Sequence, residues 1–300
     1  LDAGNYMHEL LRLLAPAIAR LPDIPACEAF MRARAEELLA APPYCYLADT
    51  GEGSFAARAL VEEAVVIGRQ VFEQVKGSAY TVAAAEQSFG YPGSPIGGIP
   101  LRAGGRTYTV AGKIDRIDRS GEYVRVVDYK TGRMQVKPTD YYTGRKLQLE
   151  LYLSAASAGG KPAGAYYFPA RVGFVPPEEK APFRMEGFTA AEEEIVRLSE
   201  PALQAGEESR FIAAKCATGG RGTLREEEMA DFLQYAVRVS ENCLKELSAG
   251  CIAPSPYAGE CAYCPYGALC GRDPAEAERS ERTASLAEIV DIIRNEREGQ

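Results

Sequence analysis

None of the 300 residues falls in an apolar run approaching the roughly 18 to 20 that a membrane span needs. The first residues also lack the basic start and apolar stretch of a secretory signal. A helical membrane span is therefore excluded and no membrane role is expected. Export has no support, and the expected location is cytoplasmic. Positive charge is in short supply too: the formal net charge is -8 and the pI about 5.1, which argues against indiscriminate coating of nucleic acid. Histidine occurs once, at His8, and its scarcity alone assigns it nothing. There is no internal repeat or long low-complexity segment. The chain begins at Leu1 and not at Met, so it is expected to be a piece of something longer.

What is present is a chain 46% hydrophobic with a mean hydropathy of -0.21, enough for one large domain or two ordinary ones. The negative charge is unevenly spread. Residues 102 to 146 hold eleven Lys and Arg against five Asp and Glu, a local surplus of six positive charges. Phosphate attraction is screened over about 10 Å, so a basic patch around an acidic site remains workable.

That stretch contains the motif on which the rest depends. Gly112-Lys-Ile-Asp115-Arg-Ile-Asp118 and Val124-Arg-Val-Val-Asp128-Tyr129-Lys130-Thr-Gly132 read as two strands joined by a turn at Ser120-Gly121. Side chains two apart on a strand share a face, so Asp128 and Lys130 project together, and strand pairing brings Asp115 alongside. Two carboxylates supply hard oxygen ligands for Mg²⁺ or Mn²⁺, and a neighbouring ammonium orients water and stabilises charge growing on phosphate oxygens. The competing account is a solvated hairpin with a surface ion pair. Against it stands the position of Asp128 at the end of an apolar run, Val124 to Val127.

Gly-x-x-Asp followed by Val-Val-Asp-Tyr-Lys-Thr-Gly resembles the RecB family within the PD-(D/E)XK nuclease superfamily. The resemblance implies further site residues. Gln148 and Tyr152, four apart on the following helix, match the family's Gln and Tyr, and His8 in Gly4-Asn-Tyr-Met-His8 matches its Gly-x-x-x-His helix. On this basis His8, Asp115 and Asp128 are the expected metal ligands, with the Tyr129 carbonyl in addition. Lys130, Gln148 and Tyr152 join the two aspartates as catalytic candidates. Glu86 is able to reach the site from an earlier strand, but is expected to face solvent.

Helices are expected over residues 3–20, 24–41 and 53–76, then strands over 80–89, 99–101 and 106–118. A helix over 140–157, strands over 163–168 and 183–188, and helices over 192–204 and 225–247 follow. The expected fold is α/β, a restriction-endonuclease-like mixed sheet flanked by helices. It is treated as one nuclease domain over 1–300: a helical part carrying His8 (1–78), a catalytic core (79–188), a helical insertion (189–249), a cysteine cluster (250–273) and a helical tail (274–300).

Eight cysteines occur, and Cys261-x₂-Cys264-x₅-Cys270 places three thiols close together. Disulfides account poorly for this in a cytosolic chain, whereas a metal or iron–sulfur cluster suits it. The array resembles that of the nuclease domain in AddB-type subunits of bacterial helicase–nucleases, and that of smaller CRISPR-associated nucleases. Both imply a [4Fe–4S] cluster of structural role. The family's fourth cysteine precedes the Gly-x-x-x-His helix, so it is expected upstream of Leu1, with Cys45 or Cys27 as substitutes and zinc as the runner-up metal. The resemblance implies a Mg²⁺- or Mn²⁺-dependent exonuclease that trims one DNA strand at a duplex end unwound with an AddA-type partner, in double-strand-break repair. A non-catalytic DNA-end-binding scaffold and a CRISPR-associated nuclease are the alternatives.

Overall fold

Helix α1 (Asp2–Ala17) buries Tyr6, Met7, Leu10, Leu11 and Leu14, a stripe at helical spacing. Asp23 begins α2 (Ile24–Leu39) by accepting the Ala26 N–H at 2.9 Å, with Pro25 in the first turn, where its missing N–H costs nothing. Helix α3 (Gly51–Lys76) adds Val61, Ala64, Val71 and Phe72 to the same core. The structure, a computed structural model, describes residues 2–48, 51–132, 136–171, 183–218, 220, 222–273, 275–280 and 283–298.

From residue 81 the period changes to that of strands: β1 (Thr81–Phe89), β2 (Ile99–Ala103), β3 (Arg106–Val110), β4 (Gly112–Ser120), β5 (Tyr123–Lys130), β6 (Lys161–Pro169), β7 (Glu186–Ala190) and β8 (Thr223–Leu224). Six of them form one mixed sheet in the order β1-β4-β5-β6-β7-β8, and β2 pairs β3 separately. β1 and β5 each run antiparallel to β4, and β5 runs parallel to β6. The α4 (Pro138–Tyr142) and α5 (Gln148–Ala156) crossover joins that parallel pair, as parallel strands require.

Both faces of the sheet are covered. On one, Val127, Tyr129, Tyr166 and Phe168 pack with α1, α2 and α3. On the other, Val124, Val126 and Phe188 pack with Leu149 and Leu153 of α5, Phe232 of α7 (Glu226–Ser248) and Ile289 and Ile293 of α9 (Leu286–Glu298). β5 supplies side chains to both cores in alternation, which explains its nearly unbroken apolar run. This is the α/β mixed sheet flanked by helices that the residue pattern implies.

Several boundaries differ. The strand expected over 106–118 divides at Ala111, and β3 leaves with β2 as a separate hairpin. Gly90, at φ +75, and Gly98 allow that departure, since a Cβ on Gly98 would lie 2.1 Å from a Thr109 methyl. The helix expected over 140–157 breaks between Tyr142 and Gln148, where Gly144 has φ +75. The helix expected over 192–204 is α6 (Glu193–Ser199), followed by Pro201. β8 lies inside the stretch expected to be a helical insertion. The short helix α8 (Gly267–Cys270) lies in the cysteine loop.

Candidate active site

Arg116 and Val127 are the last paired residues of β4 and β5 at one end of their ladder. One step beyond, Asp115 and Asp128 face each other, and alternation puts them on the α5 side of the sheet. The backbone N–H of Tyr129 donates to Asp115 Oδ2 at 2.7 Å, fixing that carboxylate. Lys130 Nζ lies 2.6 Å from Asp128 Oδ2 and donates to Gln148 Oε1 at 2.8 Å. Gln148 Nε2 then donates to Tyr152 Oη at 3.1 Å. Asp128, Lys130, Gln148 and Tyr152 thus form one connected polar chain from the strand end to the first turns of α5. The Tyr152 ring meets Phe89 edge-on, with centroids 5.7 Å apart.

α1 brings His8 to the same place. Its Nδ1 lies 3.4 Å from Asp115 Oδ2 and 3.7 Å from Glu86 Oε1. Among the described residues, His8, Glu86 and Asp115 form the group of three possible metal ligands, with ligand atoms all within 4.8 Å of one another. The structure therefore brings together His8, Asp115, Asp128, Lys130, Gln148 and Tyr152. Tyr129 contributes its N–H to this arrangement, its ring meets the His8 imidazole edge-on with centroids 6.2 Å apart, and its hydroxyl accepts from Arg116 Nη1 at 3.2 Å.

Glu86 corrects the sequence expectation. It does not face solvent; its side chain is largely covered and ion-paired with Lys113 as well as close to His8. Glu86 has φ +51, in the left-handed region that few non-glycine residues adopt inside a strand. Burial along β1 does not alternate cleanly, and its pairing with β4 shifts register between Val82 and Ala84, so a period-of-two argument does not place Glu86. No local residue pattern carries that signal.

The electrostatics match a cation site. Burial first, then the negative charge of Asp128, pushes the Asp115 carboxyl up to about 6. Burial likewise raises Asp128, against the opposing pull of Lys130. Burial would raise Glu86 also, but its hydrogen bonds to His8 and Lys113 hold it below the usual carboxylate range. His8 is raised, chiefly by its hydrogen bond to Glu86. One imidazole and two carboxylates, His8, Glu86 and Asp115, are placed to share a divalent ion such as Mg²⁺ or Mn²⁺, while Asp128 lies outside that group with its carboxylate paired to Lys130.

The basic surplus expected around this site is smaller at the surface than the count implies. Arg116 and Arg125 are fully buried and share Asp118 Oδ2, each at 2.9 Å. Lys113 pairs with Glu86, and Arg145 and Lys146 pair with Asp140. Arg133 lies outside the described residues.

The cysteine loop is placed but not assembled. Cys261, Cys264 and Cys270 are all exposed, and among the described residues their sulfurs are not gathered as a metal-binding group. Their donor chemistry suits a soft metal or cluster. The substitutes considered for a fourth ligand differ in setting: Cys27 is buried, with its thiol directed to the Gly68 carbonyl, and Cys45 is half-buried.

A mixed sheet with opposed carboxylates and a lysine at adjacent strand ends has the architecture of a restriction-endonuclease-like nuclease. The chain belongs to the PD-(D/E)XK nuclease superfamily, whose sequence model matches residues 1–271. Among curated relatives, it is 34% identical over 244 residues to the B subunit of the ATP-dependent helicase/deoxyribonuclease of Desulforudis audaxviator, covering 70% of this chain and 21% of that protein. The corresponding protein of Symbiobacterium thermophilum is 29% identical over 250 residues, covering 73% and 21%. That of Ruminiclostridium cellulolyticum is 28% identical over 332 aligned positions, covering 97% and 28%. The chain thus spans between a fifth and a third of the length of these relatives.

Proposed function

We propose that the domain is a metal-dependent deoxyribonuclease acting as an exonuclease on a DNA strand, as part of an AddB-type subunit with an AddA-type helicase–nuclease partner. The observation that carries this reading is the gathering of His8, Glu86 and Asp115 beside the Asp128–Lys130 pair at the end of the β4–β5 ladder. The name shared by the relatives, the B subunit of a helicase/deoxyribonuclease, supports the choice of DNA and of a helicase partner. Processing of unwound duplex ends during double-strand-break repair is the corresponding role.

His8, Glu86, Asp115 and Asp128 would hold Mg²⁺ or Mn²⁺, with the Tyr129 carbonyl as a further ligand. When bound, such an ion supplies Lewis-acid stabilisation of negative charge on the scissile phosphate. Lys130, oriented by Asp128 and Gln148, holds the attacking water in line with the leaving oxygen and offsets charge as the new P–O bond forms. The bond to the 3′ oxygen breaks, leaving a 5′-phosphate and a 3′-hydroxyl. Gln148 and Tyr152 present an amide and a phenol to the adjoining strand. The test is Mg²⁺- or Mn²⁺-dependent cleavage of single-stranded DNA by the parent chain and by Asp128→Ala and Lys130→Ala. Each variant is expected to lose about 10²–10³-fold in rate, the scale of removing one preorganised charged group. Variants that cut as fast as the parent would overturn the assignment, and DNA binding without cleavage at any metal concentration would favour a scaffold.

For the loop at 261–270 we propose a structural [4Fe–4S] cluster, with zinc as the alternative. Iron, sulfide and zinc content of anaerobically purified protein decides between them.

A further inference from the structure

Next to the acidic cluster lies a cavity of about 350 Å³ for which the hydrolytic chemistry has no use. Gly4 and Asn5 in the first turns of α1, Leu60 and Glu63 of α3, Thr131, and Ala170-Arg171 form much of its wall. Thr131 follows β5 directly and Ala170 follows β6, so the cavity sits at the carboxyl ends of the parallel pair, where open α/β sheets commonly receive ligands. His8 also lines it, which makes cavity and candidate metal site neighbours across a single imidazole. A Cβ on Gly4 would lie 3.1 Å from Thr131 Oγ1, so glycine lets α1 approach the strand end closely.

The polar groups on the wall suit an anion of defined shape. Arg171 is exposed and has no carboxylate partner among the described residues, in contrast to Lys113, Arg145 and Lys146. A guanidinium fork matches a phosphate in two-pronged fashion, and the Thr131 hydroxyl and Asn5 amide add donors. Leu60, half-buried, adds an apolar side chain to the wall. Glu63 stands on the same wall with an interaction partner of its own.

We propose that this cavity is a nucleotide subsite that holds the phosphodiester adjoining the one cut, with Arg171 gripping that phosphate and Thr131 assisting. The inference rests on the nuclease reading for the identity of the ligand. It assigns Arg171 to substrate binding and leaves the chemistry to the cluster beyond His8.

The test uses the full 300-residue chain, a fluorescein-labelled single-stranded 20-mer, and the variants Arg171→Ala, Arg171→Lys and Thr131→Ala. Anisotropy in EDTA reads binding without turnover. Arg171→Ala is expected to weaken binding about tenfold and to lower the slope of log affinity against log salt by about 0.7, the loss of one single-strand phosphate contact. Arg171→Lys should restore part of the affinity, and Thr131→Ala should cost less than Arg171→Ala. In cleavage assays KM should rise by the same factor with kcat within about twofold. An Arg171→Ala protein with the parent's affinity and salt slope overturns the subsite. Absence of cleavage by the parent would remove the nuclease reading instead, and the EDTA binding comparison would still decide the subsite.

Discussion

The carboxyl of Asp115 is covered by protein and faces Asp128, and these two effects raise it from 3.8 to about 6. A group that binds its proton more tightly when folded contributes stability below its unfolded pKa and loses it as pH rises through the folded one. Without metal, this residue should therefore reduce the melting temperature between about pH 4 and pH 6, and a divalent ion should restore it above that range by binding the ionised form. The measurement is melting temperature against pH in EDTA and in Mg²⁺, for the parent and Asp115→Asn. If the two proteins show the same pH profile in EDTA, the buried acidic pair is not as described. A second residue-scale prediction concerns Asp118, the shared counter-charge of buried Arg116 and Arg125. Asp118→Ala leaves two guanidinium groups uncompensated, and urea unfolding should show a loss of about 3–5 kcal/mol. The distinction between Asp118 and Asp115 is legible only in part from residues. Strand alternation separates their faces from Asp128 and Lys130 onward, but which face receives the metal-site helix depends on packing far away in the chain. Glu86 is illegible because β1 shifts register between Val82 and Ala84 and Glu86 itself takes φ +51, so simple alternation fails there.

At the scale of elements, Gly112 explains why the Gly-x-x-Asp pattern begins with glycine. A Cβ there would lie 2.9 Å from the Phe89 ring and 3.7 Å from the Tyr152 ring. The contact with Tyr152 is an ordinary one, but the Phe89 ring would have to shift, and Phe89 packs edge-on against Tyr152 of the polar chain on α5. Gly112→Ala is expected to cost about 1–3 kcal/mol by overpacking, and to lower cleavage beyond what the lost stability explains. Parent-like activity at a temperature where the variant is fully folded would contradict this. The same close packing accounts for boundaries that periodicity misses. β3 and β4 read as one strand because both are polar-apolar and uninterrupted by proline, yet the glycines at 90 and 98 allow β3 to fold onto β2. Likewise α4 and α5 read as one helix until Gly144 takes up a left-handed turn. Single glycines tolerated inside a helix or strand look the same in sequence as glycines that end one.

Across the whole molecule, the cysteine loop is tied to the site through one aromatic clasp. Tyr257 lies between two guanidinium groups, Arg145 at 4.6 Å and Arg279 at 4.3 Å from its ring centre. Arg145 also bonds Glu260 at 3.0 Å and Asp140 at 2.7 Å, and it sits in the connection leading to Gln148 on α5. The segment at the end of the chain is therefore registered on the element that carries Gln148 and Tyr152. Apolar burial contributes little to this attachment: Tyr263, Tyr266 and Leu269 all remain exposed. Removing the clasp should free the loop without unfolding the sheet, since the two cores on either side of β5 do not pass through it. For Tyr257→Ala, amide exchange is expected to accelerate over 250–273 while β4 and β5 keep their protection. Equal acceleration across the β5 core would show that the loop is part of the cooperative unit and not an appended one. Unchanged exchange in both regions would mean that Tyr257 does not anchor the loop, and that its attachment lies with the Arg145–Glu260 ion pair at 3.0 Å.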